Sequence, residues 1–297
     1  NTCMQLFVTD KSFVYVVPMR SKADVPAALK LFAKEIGAPE AIICDASGEQ
    51  TSRQVKTFLQ QIGTSLRVLE KGTQWANRAE LYIGLLKSAV RKDMKESAAP
   101  LPFWDYCAER RARINNLVAK DLFQLQGQNP HHYTMGDEGD ISNLCQYSFY
   151  QWCYYRDSDA SFPMPDEVLG RCLGPAKGIG NEMSQWVLKA NGKVIARRTL
   201  RPLTAIEISS ESEVRKRKEW DLLAEAKWGS PFEPPIDVKC DLDPLDQYAK
   251  DVDDEKARVL PEFFDPVDAF GSPIDQQPAY DTMLNTELML PNGDSYK

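Results

Sequence analysis

The chain has 297 residues, 43% of them hydrophobic, and a net charge of −7, which allows one or two domains with a sizeable core. No apolar run approaches the roughly 20 residues of a membrane span and no secretory leader is visible, so no membrane-spanning helix is expected. Seven cysteines are scattered singly without a CxxC pair, and the only histidines are the adjacent His131 and His132, so reduced intracellular thiols are expected and a zinc module is not.

The charge is unevenly spread. Residues 1–140 hold 18 Lys/Arg against 16 Asp/Glu, residues 141–205 hold 8 against 5, and residues 206–297 hold 10 against 22. A mildly basic body is followed by a strongly acidic tail, so the overall sign is a poor guide to partners.

In chain order, Met4–Val8 and Phe13–Met19 are rich in β-branched and aromatic residues around a polar turn and predict a hairpin. Asp24–Ile36 has apolar residues at 25, 28, 29, 31, 32 and 36 and predicts a helix stopped by Gly37. Ala41–Cys44 predicts a short buried strand. Ser52–Ile62 predicts a helix with Val55, Phe58, Leu59 and Ile62 on one face, ended by Gly63. Ser65–Leu69 predicts a strand, and Asn77–Met94 and Pro102–Leu117 predict helices. The alternation implies an α/β fold with a mixed sheet. After Gln126–Pro130 the texture changes. Short β-like runs at Tyr147–Tyr155, Met183–Leu188, Lys193–Ala196 and Thr199–Leu203, punctuated by Gly170, Gly174, Gly178, Gly180 and Gly192, predict a small β-barrel-like module over 141–205. From about Glu207 a charged helix over Glu211–Ala226 is compatible with the pattern, and the Pro- and Asp-rich remainder predicts a mostly disordered acidic linker over 206–297.

Two carboxylates stand out. Asp45 ends the apolar run Ala41–Cys44, and Glu80 opens the long amphipathic stretch, with 34 residues between them. A strand-end Asp and a helix-borne Glu can meet and share divalent cations for phosphoryl transfer. Taken alone, the same pair reads as a turn Asp and a first-turn Glu favoured by the helix dipole. Along the Asn77–Met94 helix, Glu80, Gly84, Lys87 and Arg91 share one face, with Leu81, Leu85, Val90 and Met94 as a separate apolar stripe. Lys87 and Arg91 suit DNA phosphate, or else form a solvated face. Further basic candidates are Lys193, Arg197, Arg198 and Arg201 on the late strands, and Arg110, Arg111 and Arg113 on the Pro102–Leu117 helix. Trp152, Tyr154 and Tyr155 read as barrel core before base-stacking groups. His131 and His132 read as loop residues. The basic run Arg215–Lys218, flanked by Glu211, Glu213, Glu219 and Asp221, reads as a salt-bridged helix before a nuclear-localisation patch.

The stretches NTCMQLFVTDKSFVYVVPM (1–19), IICDASGEQ (42–50) and WANRAELYIGLLK (75–87) resemble the integrase core of copia-type retrotransposon polyproteins, nearest to those of algae. The stretches DISNLCQYSFYQWCYYRD (140–157) and LGRCLGPAKGIGNEMSQWVLKANGKVIARRTLRPLT (169–204) resemble the segment that follows that core. The tail, ending in LMLPNGDSYK, resembles the linker toward reverse transcriptase. The likeness covers about two thirds of the chain in order. It implies an RNase H-like mixed sheet flanked by helices over 1–130, with a DDE active site. In the family the second acid is written TDNGxEF; here Asp45 and Glu49 match while Asn-Gly is replaced by Ala46-Ser47. Asn77 and Glu80 match the third-acid motif, and a Lys at the position of Lys87 contacts DNA in the family.

The resemblance places the first acid on a strand about a dozen residues before the position of Asn1, so the first strand is expected to be missing. The start at Asn1 rather than Met is likewise expected of a fragment. Asp10 matches a different family position and lies only 34 residues before Asp45, closer than the family's first gap. Under the resemblance, Asp45 and Glu80 would each hold one Mg²⁺ or Mn²⁺, with the missing Asp bridging both. The implied activity is 3′-end processing and strand transfer, absent from this fragment for lack of the first acid. The implied partners are element ends and target DNA and further copies of the chain, with no membrane. The implied setting is a cytoplasmic virus-like particle and then the nucleus. The alternative is a non-catalytic, nucleic-acid-binding remnant of an integrase.

Overall fold

The computed structural model describes residues 1–69, 78–157, 166–179 and 183–234, and a two-residue antiparallel pair, Leu288–Met289 with Ser295–Tyr296. Asn1–Asp241 form one compact unit and Leu242–Lys297 another.

The predicted hairpin is present. Strand β1 (Cys3–Val8) pairs antiparallel with β2 (Val14–Met19), from Cys3 opposite Met19 to Val8 opposite Val14. Both faces are covered, as the two-residue period dictates. Met4, Leu6, Val8, Val14 and Val16 face the main core, while Phe7, Tyr15 and Val17 face helix α1 (Val25–Glu35), where Phe7 stacks on Phe32 at 4.6 Å. Strand β3 (Ala41–Cys44) follows, then helix α2 (Arg53–Gln61), then β4 (Ser65–Val68), which runs parallel to β3. Ser52 caps α2 by accepting a hydrogen bond from the Val55 N–H, and Gly63, at φ +72°, turns the chain out of it.

The expected single mixed sheet is split. Among the described residues β1 pairs only with β2 and β3 only with β4, so β1 and β3 each keep an unpaired edge. Yet both pairs lie over one core, in which Cys3, Phe7, Val17, Ile42 and Leu66 pack on Met19, Leu29, Val55 and Leu59. The expected burial of β3 is corrected: Cys44 is buried, but Ile43 is 55% exposed.

Helices α3 (Arg78–Ser97) and α4 (Trp104–Leu117) pack beside the hairpin. The buried stripe of α3 is Tyr82, Leu86, Val90, Asp93 and Met94. Val90 and Met94 belong to the expected stripe, while Tyr82 and Leu86 are buried in place of Leu81 and Leu85, which are half-buried, because the hairpin and α4 occupy that side. Asn116 of α4 accepts from the Val14 N–H at 2.7 Å and donates to the Val14 carbonyl at 2.8 Å. It thereby acts as a one-residue strand that satisfies the outer edge of β2. The short helices α5 (Pro130–Met135) and α6 (Ser142–Cys145) follow. His131 and His132 are therefore helical rather than in a loop, and they sit 2.7 Å from Asp137 and 3.6 Å from Glu138 respectively.

The β module comprises β5 (Gln151–Arg156), β6 (Glu167–Pro175), β7 (Gln185–Lys189), β8 (Val194–Arg197) and β9 (Leu200–Pro202). They form one antiparallel sheet in the order β8-β7-β6-β5-β9. The barrel expectation is corrected: β8 and β9 are the two edges and do not pair. The sheet is nevertheless strongly curled, because Arg197 ends one edge strand and Leu200 begins the other. Three Cα steps span at most about 11 Å. The Arg197 Nε bridges that corner to the carbonyl of Arg156 at 3.3 Å.

Strand β6 is the centre of this sheet, and its glycines read as loop punctuation in the sequence. A Cβ on Gly170 would meet Val187 Cγ1 at 2.8 Å and the Leu188 carbonyl oxygen at 2.9 Å, so the residue is small because β7 approaches closely. Gly174 has φ +110° and lies where the β6–β7 register shifts. Gly170→Ala is expected to cost about 1–3 kcal/mol by overpacking. Urea unfolding monitored by circular dichroism measures it, and an unchanged midpoint would contradict the close approach.

Helix α7 (Ala205–Ser209) and helix α8 (Glu211–Trp228) complete this unit's described helices. Trp220 of α8 is buried in the main core with Ala224, and Trp228 packs edge-on against Phe103 at 5.4 Å. Arg171 of β6 fixes this docking. Its guanidinium lies 3.5 Å from the Trp152 ring centroid and 4.5 Å from that of Tyr150. It donates to the Tyr150 carbonyl at 3.1 Å and to Asp221 of α8 at 2.9 Å. Segments from 1–130, from 141–205 and from α8 thus meet in one hydrophobic cluster. Of the acidic stretch 206–297, expected to be mostly disordered, the first part lies in α7 and α8, and most of the rest, beyond 234, lies outside the described residues.

Candidate functional site

Asp45 directly follows the last paired residue of β3 and is half-buried. Parallel strands release their chain at the carboxyl end, where functional groups of α/β folds collect. The strand stops because the chain turns there, with the Thr51 N–H and hydroxyl both donating to the Ser47 carbonyl. Burial, and then the nearby Asp45 charge, push the Cys44 thiol above its ordinary range, so this thiol stays protonated.

Glu80 stands exposed in the first turn of α3, where the helix dipole favours an anion. Arg78 fixes that end of the helix. Its guanidinium donates to the Asp10 carbonyl at 2.8 Å and to the buried Ser12 hydroxyl at 2.7 Å, in the turn between β1 and β2. Ser12 itself sits at φ +63°. At this turn Asp10 contributes its backbone oxygen. Residues 70–77, including Asn77 and the approach to Glu80, lie outside the described residues. Asp45 and Glu80 belong to the same compact unit. Among the described residues no group of three or more His, Cys, Asp and Glu side chains is arranged to hold a metal ion. The carboxylates present are hard oxygen donors of the kind Mg²⁺ takes, two acids of an expected three.

The predicted face of α3 is open. Glu80, Gly84 and Lys87 are exposed and Arg91 is half-buried, and a Cβ on Gly84 would meet nothing within 4 Å. The other basic candidates divide. Arg198 and Lys193 are exposed, and Arg197 is half-buried against the corner of the curled sheet. Arg201 is held by two carboxylates, Glu167 at 2.7 Å and Glu207 at 2.9 Å. Its guanidinium, and then the Thr204 N–H, lower the pKa of Glu207 to about 2. Arg110 donates to the carbonyls of Leu144 and Tyr147, and Arg111 is paired with Asp93 of α3. Neither belongs to an exposed basic face. Tyr154 and Tyr155 are buried in the sheet, as the core reading required. In α8, Lys216 pairs with Glu213 at 2.7 Å, as expected of a salt-bridged helix.

Lys120 was not legible in the sequence. It lies beyond the end of α4, yet its ammonium sits 5.4 Å from the Tyr82 ring centroid, the same ring on which Arg78 rests at 5.9 Å. It donates to Asn115 at 2.7 Å. Burial, and then the Arg78 charge, lower its pKa from 10.5 to about 8. The folded state therefore binds this proton less tightly than the unfolded chain. The resulting cost is full below pH 8 and fades as pH rises toward 10.5. Lys120→Met is expected to be more stable than wild type at pH 7, with the advantage shrinking between about pH 8 and 10. Paired urea titrations across that range measure it, and a pH-independent difference would overturn the assignment.

No described helix is long and apolar enough to cross a membrane. No family model matches the chain, and no curated protein matches it. Among solved structures it is similar to a chain in the cryo-EM structure of a simian T-cell lymphotropic virus intasome in complex with the PP2A regulatory subunit B56 gamma. The two are 12% identical with a TM-score of 0.38, over 68% of this chain and 72% of that one.

Proposed function

We propose that residues 1–130 are the core of a DNA-joining polynucleotidyl transferase of the copia-type integrase kind, with Asp45 and Glu80 as two of its three acids. The observation that carries this is their setting. Asp45 leaves the carboxyl end of a parallel strand, and Glu80 is exposed on the first turn of a helix pinned to the β1–β2 turn. Both lie in the stretches whose sequence resembles that family. The split sheet supports the same reading, since β1 and β3 keep unpaired edges over a shared core. We assign the third acid to a further strand entering between them.

In this proposal Asp45 would hold one Mg²⁺ and Glu80 the other, and the metal pair supplies charge stabilisation for the attacking 3′ oxygen and the departing oxygen. The chain's own contribution is positioning. Arg78 fixes the helix end that carries Glu80. Lys87 and Arg91, farther along the same helix face, engage phosphates of the same DNA, and Arg197 and Arg198 extend that contact at the sheet corner. The partners are DNA ends, target DNA and further copies of the chain. The reaction belongs in the nucleus, after a stage in a cytoplasmic particle.

The test is strand transfer in Mn²⁺ by the chain extended upstream through an apolar strand bearing an Asp. The substrates are a duplex with a free 3′-hydroxyl and a plasmid target. Joined product is expected. Folded protein that binds the DNA without joining it would instead make this chain a non-catalytic nucleic-acid-binding protein.

A further inference from the structure

A cavity of about 470 Å³ opens between β2, α1, α4 and the segment after β6, on residues that the proposed DNA chemistry does not use. Three carboxylates line it, Glu35, Asp105 and Glu109, and its walls include the rings of Tyr15, Tyr106 and Trp186. Two of the acids have donors. Glu35 accepts from the Tyr15 hydroxyl at 2.5 Å. Asp105 accepts from the Asn1 side-chain amide at 2.6 Å and from the Tyr106 N–H at 2.9 Å.

Glu109 is compensated less well. The Lys177 ammonium is 3.9 Å away, beyond hydrogen-bond length, and the Arg113 charge on the same helix adds a weaker attraction. Burial, together with the Asp105 and Glu35 charges, outweighs both cations and raises the pKa of Glu109 above the usual carboxylate range. The site also contains a cation of the chain itself. Lys177 lies 5.2 Å from the Tyr15 ring centroid, so an aromatic face and a carboxylate already share one ammonium. Carboxylates beside electron-rich ring faces form the environment that favours organic cations over hydrated metal ions, and the volume is that of a small-molecule site.

We propose that this cavity binds a small aliphatic guanidinium or ammonium compound, with its charged head on Glu109 and its stem along Tyr106 and Trp186. Lys177 is the internal competitor that such a ligand displaces.

The probe is butylguanidinium, titrated into the full chain and followed by calorimetry and by the tryptophan resonances, with the neutral isostere N-butylurea as control. A compound of this size is expected to bind at about the millimolar level. Glu109→Gln should weaken binding by about tenfold or more. Lys177→Met should strengthen it several-fold, because the competing ammonium is gone, and this variant keeps the test decisive should Glu109→Gln fail to fold. Equal binding of N-butylurea, no saturable binding of butylguanidinium, or a Lys177→Met variant that binds no more tightly would each overturn the proposal. None of these results bears on DNA joining, so the two assignments stand or fall separately.

Discussion

Asp45→Asn and Glu80→Gln are each expected to lower DNA joining by at least about 10²–10³-fold in the upstream-extended protein, the loss typical when one preorganised electrostatic group is removed from a reacting site. Both changes preserve shape and remove only the charge that would hold a cation. Asp45 is half-buried and Glu80 exposed, so stability should change by no more than about 0.5 kcal/mol. A large loss of activity with an unchanged unfolding midpoint separates a role in chemistry from a role in folding. Asp10→Asn is the informative control. Asp10 gives its backbone carbonyl to Arg78, which the substitution leaves in place, so joining should stay within about twofold of wild type. Activity that survives both Asp45→Asn and Glu80→Gln but is lost on Asp10→Asn would refute the assignment of acids.

Arg111→Leu is expected to destabilise the protein by about 3–5 kcal/mol. The Asp93 side chain is only 8% exposed and faces α4 from the buried stripe of α3. The Arg111 guanidinium meets both of its oxygens. Without Arg111 that carboxylate is left with the Cys107 thiol at 3.9 Å, a weak donor that burial keeps protonated, and with the charge of Arg110, whose guanidinium donates to the carbonyls of Leu144 and Tyr147. A poorly compensated charge between two core helices is the cause of the loss. Removing both partners, Asp93→Leu with Arg111→Leu, should restore stability to within about 1 kcal/mol of wild type, because the desolvation cost disappears with the charge. Urea titration of the two single variants and the double variant gives the coupling directly. Additive single and double effects would show that the pair is not what joins α3 to α4.

Short-range causes set the local elements of the first 117 residues, and these, with the positions of the candidate acids, are legible along the chain. The hairpin follows from two-residue alternation, α2 from a Ser52 cap and a Gly63 stop, and the strand before Asp45 from an apolar run broken by a turn. The exposed face of α3 is legible from spacing alone. Its buried stripe is legible only in part, at Val90 and Met94, since the hairpin and α4 cover Tyr82 and Leu86 rather than Leu81 and Leu85. Contacts across the fold settle the fate of groups whose partners are distant in the chain. Gly170 and Gly174 look like turn residues until β7 is set against β6. Trp220 is one aromatic in a charged helix until Arg171 and Trp152 meet it. Arg110, Arg111 and Arg201 count as free basic residues until carbonyls and carboxylates from other elements consume them. The split between β1 and β3 and the cation-suited cavity beside Tyr15 arise in the same way. Each is a relation between surfaces that no periodicity encodes, because close packing and charge compensation act through space rather than along the chain.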